Sequence, residues 1–264
     1  MSGYFGTEAQ QRLQALAEQR NDIISATPGA CQTARFMSCD DLDRFGWDRI
    51  EAYLDQDGIC GFRLLPADRA EELRSRLAAR NFRLDTWNVF LADRDAALAA
   101  SEPIVARGLP AGLVDLARPT DPEGEYTSRI QGLMASVGVM PFSGSFLVGA
   151  LVPAITSVVG TEDGEVVATA HGSMGHNAES RYARYAWGGL AAVEPSRRGT
   201  GLGTLINARM VHSVFHELGA THVHEFVSAS NIPSRRMVEA CGLRHTPELV
   251  SGIAVPNESA RFTR

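Results

Sequence analysis

The sequence predicts a mixed α/β protein in two parts, residues 1–110 and 111–264. Two observations carry this. From Gly58 onward, β-rich runs alternate with runs whose apolar residues recur at helical spacing, as in layered α/β folds. The looser stretch "ASEPIVARGLPAG" then divides one strand–helix–strand unit from a longer series. A chain of 264 residues suits one large domain or two ordinary ones.

The elements follow in order. Residues 7–22 read as a helix with Thr7 as its cap, Leu13, Leu16 and Ala17 lying on one face. A second helix is expected through 39–58, where Leu42, Phe45, Trp47, Ile50 and Leu54 share one apolar side. "GICGFRLL" reads as a strand, "PADRAEELRSRLAARNF" as a helix with Pro66 near its start, and "RLDTWNVFLA" as a strand. In the second part, "GLVDLARPTDPE" opens with a short strand and "YTSRIQGLMASVGV" is a helix. Two β-rich runs flank Asp163-Gly164, a hairpin signal. "RYAWGGLAAV" is a strand, residues 203–218 a long helix with Gly219 past its end, "THVHEFVSA" a strand, "IPSRRMVEACG" a helix and "LVSGIAV" a final strand.

Composition narrows the function. A hydrophobic content of 44% with 21% charged residues reads as soluble and globular, and no apolar run has the roughly 18 residues of a membrane helix. The first residues lack a basic-then-apolar pattern, so no signal peptide is expected. A net charge of -6 argues against a nucleic-acid face. Cys31, Cys39, Cys60 and Cys241 form no CxxC pair and read as reduced thiols of a cytoplasmic protein.

The most informative stretch is "LAAVEPSRRGTGLGTLINARM", where a β-rich run passes through Gly199, Gly201 and Gly203 into a helix. The first amides of a helix have no partner within it, and with the helix dipole they attract an anion. Glycines there leave no side chain in the way, and Arg197 and Arg198 add positive charge, so a diphosphate is the natural guest. A P-loop is excluded because no lysine follows Gly203, and a Gly-x-Gly-x-x-Gly fingerprint fails at Thr204 and at Ile206.

The remaining pattern, Arg198-x-x-Gly201-x-Gly203 preceded by "VEP", resembles the pyrophosphate motif of the GCN5-related N-acetyltransferases. "LARPTDPEGEYTSRIQGLM" resembles the first strand and helix of that fold, and Asn231, Ser234 and Gly242-Leu243 resemble its second signature. The resemblance covers roughly residues 111–264 and implies an acetyl-CoA-binding fold there. It implies that acetyl-CoA is a co-substrate lying between "YAWGGLAAV" and "THVHEFVSA". The pantetheine arm would pair along Ala191, Ala192 and Val193. The diphosphate would meet the backbone of Arg198, Gly199, Thr200, Gly201, Leu202, Gly203 and Thr204. Asn231 and Ser234 would contact the cofactor, and Arg235 or Arg236 the adenosine phosphate.

The reaction implied is direct attack of a primary amine, on a small molecule or a protein, at the thioester. The amide of Val193 is a candidate for the oxyanion. The chain departs from the family at Val238, where many relatives carry a tyrosine that protonates the thiolate. The alternative is therefore a CoA-binding protein that has lost catalysis. Glu225 and His224 are the candidate catalytic residues, and only one of two successive strand residues can face the cleft. His171 and His176 flank a turn that could border the acceptor site, and Trp187 could line it. His212 and His216 have helical metal spacing without the glutamate that zincins need, so no metal is expected. Residues 1–110 read as a degenerate second copy of the fold, without a glycine loop. They are expected to shape the acceptor pocket or a homodimer contact and to bind no CoA. No nucleic acid or membrane partner is expected.

Overall fold

The strand–helix–strand units at residues 60–93 and 185–227 each join two parallel strands, and what lies between the strands of each pair sets the layout of the molecule. The computed structural model describes residues 3–259; the outermost residues of both expected parts lie outside these.

Helix α1 (Glu8–Gln19) starts at Thr7, whose hydroxyl accepts from the Gln10 amide while Gln10 Oε1 accepts from the Thr7 amide at 2.8 Å. The short α2 (Asn21–Ala26), β1 (Ala30–Gln32) and β2 (Met37–Cys39) follow. They are absent from the sequence pattern because three-residue strands have too few positions to show an alternation. The helix expected over 39–58 is two, α3 (Leu42–Phe45) and α4 (Trp47–Asp57), broken at Gly46. Its apolar side still points inward, with Phe45, Ile50 and Leu54 buried. The strand–helix–strand unit lies where expected: β3 (Cys60–Pro66), α5 (Ala67–Ala78) and β4 (Phe82–Asp93).

The first six residues of the stretch read as loose, 100–105, are the end of a helix, α6 (Arg94–Val105), capped by Asp93 on the Ala96 amide at 2.8 Å. Its alanines give a weak apolar period, and Pro103 is tolerated inside its last turns. After it come β5 (Leu113–Asp115), α7 (Glu125–Ser136) and the short α8 (Gly144–Leu147). The hairpin of β6 (Ala154–Thr161) and β7 (Val166–Ser173) turns at Asp163-Gly164. The chain ends with β8 (Tyr185–Val193), α9 (Leu202–His216), β9 (His222–Val227), α10 (Ile232–Ala240) and β10 (Arg244–Pro256).

All the strands join one ten-stranded sheet in the order β1-β2-β3-β10-β4-β9-β8-β7-β6-β5. Strand β10 runs antiparallel to both β3 and β4, so those two are parallel to each other, joined by α5 and separated by β10. Strands β8 and β9 are likewise parallel and joined by α9, with nothing between them. The two units share a further detail. Leu64 in β3 and Leu190 in β8 both have φ 51°, and each lies at a register shift against its antiparallel neighbour. The N-terminal unit thus repeats the C-terminal one, but its gap is filled by Ile253, Ala254 and Val255, all buried. That is the physical form of its degeneracy: a chain segment occupies the place a ligand would need.

The apolar stripe of α9 packs as its period predicts, with Leu202, Leu205, Ile206, Met210 and Val214 buried against the sheet. The turn after helix α10 holds Gly242 at φ 89°, where a Cβ would lie 2.6 Å from the Ala96 carbonyl oxygen of α6. Gly242→Ala is expected to destabilise the fold by about 3 kcal/mol, combining left-handed strain with overpacking. A denaturant midpoint unchanged by this substitution would show that α6 does not press on that turn.

Candidate active site

Strands β8 and β9 pair only at Tyr185–His222, Ala186–Val223 and Trp187–His224. Beyond Trp187 they part, while β8 stays on β7 as far as Val193. Residues 188–193 therefore present a free strand edge. The Glu194 amide donates to Val167 on β7 at 2.9 Å, so by alternation the Val193 amide points to the open side.

The glycine-rich turn lies at this open end. A 3-10 turn (Pro195–Arg197) leads through Arg198 and Gly199 to Gly201, the N-cap of α9 at φ 86°, and no side chain caps the first turn. The Thr200 hydroxyl donates backward, to the Arg197 carbonyl at 2.8 Å. A Cβ built at Gly199 or Gly201 would meet nothing within 4 Å, so the space beside this turn is open. Gly203 sits closer in, against Val193 and Met237. Arg197 and Arg198 are exposed, and Arg198 Nε reaches the Val193 carbonyl at 3.3 Å. These features fit a diphosphate: bare donors, a helix N-terminus and two cations. A groove of about 610 Å³ adjoins the turn, lined by Thr200, Gly201 and Leu202 and, opposite, by Pro103, Ile104 and Arg107.

Across the open strands, the Asn231 side chain caps α10 by accepting from the Ser234 amide at 3.1 Å. Arg235 is held by Glu239 at 2.9 Å, whereas Arg236 is exposed. Asn231 and Ser234 also line a cavity of about 210 Å³ at the fork. Trp187, Leu190 and Phe226 form one wall, and the N-terminal part supplies Arg35, Arg63 and Trp87 on the other. A deeper chamber of about 30 Å³, room for about one water, shares Arg63, Phe142 and Trp187 with it and adds His176 and His224.

His176 is held by a carboxylate. Its Nδ1 lies 2.6 Å from Asp40 Oδ2, which also accepts from the Ser180 hydroxyl at 2.6 Å. Since a carboxylate accepts, Nδ1 carries the hydrogen, and in the neutral ring Nε2 keeps a lone pair. Cys31, Asp40 and His176 offer ligand atoms within 4.8 Å of one another, but Asp40 Oδ2 is already engaged twice and burial holds the Cys31 thiol protonated. Asp40 Oδ1 is buried without a hydrogen-bond partner among the described residues.

The two residues proposed on β9 face opposite sides. His224 borders the deep chamber, with neither ring nitrogen hydrogen-bonded among the described residues, and burial holds its pKa well below the ordinary value. Glu225 faces α9, where Asn207 Nδ2 donates to it at 2.8 Å, and burial raises its pKa to about 7. The folded state thus favours the protonated acid, so folding stability falls as pH rises from about 4.5 to about 7. Glu225→Gln keeps the acceptor for Asn207 and removes the charge. It is expected to leave stability unchanged near pH 4 and to raise it by ~3 kcal/mol above pH 8, measured by denaturant titration at both pH values. No gain at high pH would mean that Glu225 ionises without cost.

His171 lies in the core, bonded to Thr156 at 2.9 Å and packed against Phe142 and Trp187, and burial lowers its pKa to about 3. Val238 is fully buried, and Cys241 on the same helix end is buried with its thiol pushed up to about 12. Sequence reasoning missed Arg35, Arg63 and Asp40. A signal existed for Arg63, a lone charge inside the apolar run of β3.

The sheet is parted between two parallel strands, with an uncapped glycine-rich helix start at the parted end. Residues 142–243 match the acetyltransferase (GNAT) family, and this part of the chain is a GNAT domain. The fold is similar to that of a GCN5-related N-acetyltransferase from Kribbella flavida, at 14% identity over 98% of each chain with a TM-score of 0.57. It is similar as well to a tandem GNAT protein of the clavulanic acid biosynthesis pathway, at 14% identity over 92% of this chain and 88% of that one, TM-score 0.54. The C-terminal domain of an Agrobacterium fabrum protein named for lysylphosphatidylglycerol synthesis shares the fold at 15% identity over 92% and 93%, TM-score 0.51. No curated protein matches the sequence. Among the described residues no helix is long and apolar enough to cross a membrane.

Proposed function

We propose that the protein is an acetyl-CoA-dependent N-acetyltransferase acting on a small amine. The observation that carries this is the parting of β8 and β9 beyond Trp187, beside an uncapped helix start, with a cavity at the fork. Acetyl-CoA supplies an acetyl group as a thioester, which an amine can displace. The turn from Arg198 to Thr204 holds the diphosphate, and the free edge of β8 receives the pantetheine arm, with the Val193 amide as donor to the developing oxyanion. The cavity walls exclude bulk water and orient the amine.

The amine must be neutral to attack. No Asp or Glu lines the cavity among the described residues, while Arg35 and Arg63 do, and two nearby cations disfavour an ammonium. His176 Nε2 accepts the proton the nitrogen gives up as the C–N bond forms and the C–S bond breaks; that proton then returns to the departing thiolate. Asp40 orients the ring through its bond to Nδ1. The four cysteines are buried and free, which fits a reducing cytoplasmic setting.

The second reading, CoA binding without transfer, is favoured by one observation: among the described residues no tyrosine lines the cavity where family members place their acid. Free thiol measured after mixing protein and acetyl-CoA with a panel of small primary amines separates the two. Amine-dependent thiol release supports the transferase; tight acetyl-CoA binding with no release on any amine supports the second reading.

A further inference from the structure

Arg35 and Arg63 come from different strand regions of the N-terminal part and both line the cavity at the fork. Each guanidinium lies over an aromatic ring of the wall. Arg35 Cζ is 4.7 Å from the Phe142 ring centre, and Arg63 Cζ is 4.9 Å from that of Phe226. Arg35 donates through Nη2 to the Met140 carbonyl, and its Nε is buried without a partner. Among the described residues Arg63 makes no hydrogen bond or ion pair, and no carboxylate faces either side chain. Two half-buried cations that repel each other, with spare donors and no anion, form an incomplete arrangement: drawing an unpaired charge out of water is costly, and ring contacts offset only part of that cost.

We propose that Arg35 and Arg63 form an anion-binding subsite for the acceptor, so that the amine acetylated here carries an anionic oxygen group. The inference rests on the reading of this cavity as the acceptor side of an acyl transfer. A guanidinium presents its N–H groups in a planar fork that matches a carboxylate or a phosphate, and stacking on a ring leaves those in-plane donors available. Burial lowers the Arg35 pKa to about 9 and that of Arg63 to about 10, in each case by desolvation first, which is the sign of charges that lack a counter-ion. Both stay cationic at neutral pH. The aromatic walls accept an apolar body, so the ligand class is a small amine with an apolar portion and one carboxylate or phosphate.

Trp87 and Trp187 line the same cavity and report on its occupancy. Tryptophan fluorescence of the full chain is titrated with phenylacetate, phenylacetamide and phenyl phosphate, and separately with acetyl-CoA. At least one of the two anions is expected to bind about tenfold or more tightly than the neutral amide, and whichever binds more tightly identifies the anionic group. Arg63→Met and Arg35→Met are each expected to abolish that preference while leaving the amide and acetyl-CoA affinities within about twofold. Equal binding of acid, phosphate and amide by the parent protein overturns the proposal without any variant. So does a preference that survives in both variants. Acetyl-CoA binding with no anion preference removes the subsite and leaves the transferase reading standing. Failure of acetyl-CoA to bind removes the transferase reading itself, whatever the anions do.

Discussion

Gly201→Glu is expected to weaken acetyl-CoA binding by at least about a hundredfold, measured by calorimetry, with the fold retained. The position combines three conditions. Gly201 is the N-cap of α9, so its neighbours supply the unpaired first-turn amides. A Cβ there meets nothing within 4 Å, so a longer side chain costs no packing and extends into the space a diphosphate would fill. And a carboxylate about 4 Å from a phosphate charge is opposed by roughly 4 kcal/mol at an effective dielectric of about 20, less after screening by salt. About 3 kcal/mol remaining corresponds to a factor of roughly 100 in affinity. Backbone strain must be separated from this, because φ is 86°. Gly201→Asn tolerates the left-handed conformation and adds no charge, so its affinity is expected to fall by less than about tenfold. Equal losses for Asn and Glu would assign the effect to backbone geometry. Unchanged affinity for Glu would place the diphosphate elsewhere.

The glycine turn was legible in the sequence because its shape is written in local chemistry. Missing side chains, a strand before and an amphipathic period after all fall within about twenty residues. Most elements of the C-terminal part were legible for the same reason, since their periods are long enough to read; the four-residue α8 was not. The acceptor side was not. Arg35 and Asp40 sit beside strands of three residues, and His176 meets Asp40 across 136 positions of chain. No local pattern encodes such a meeting. The filling of the N-terminal gap was equally hidden, because β10 is an ordinary apolar strand whose partners are set by topology. Composition showed that the N-terminal unit lacks a glycine loop; only the sheet order explains why it has no cleft. The two candidates on β9 show the limit from the other side. Alternation says that His224 and Glu225 face apart, but which of them meets the cavity depends on where α9 packs.

His176→Ala is expected to lower kcat by about 10²- to 10⁴-fold on any amine the parent protein acetylates, with the acetyl-CoA dissociation constant unchanged, by thiol-release kinetics and calorimetry. The reasoning is geometric. His176 borders the deep chamber below the fork, its Nδ1 is committed to Asp40, and its Nε2 is left to accept a proton. Asp40→Asn is expected to cost at least about tenfold in kcat, because an amide can present its N–H₂ to Nδ1 and favour the wrong tautomer. A structural role alone would give similar losses through local disorder, so two further readouts matter. Added imidazole is expected to restore part of the rate in the His176→Ala protein, since the substitution leaves a ring-sized space beside the cavity. Glu225→Gln, which changes a buried acid on the opposite face of β9, is expected to keep kcat within about threefold. If instead the His176→Ala protein retains kcat and the Glu225→Gln protein loses it, proton transfer runs on the α9 side of the sheet, and the carboxyl held near pKa 7 by burial is the base.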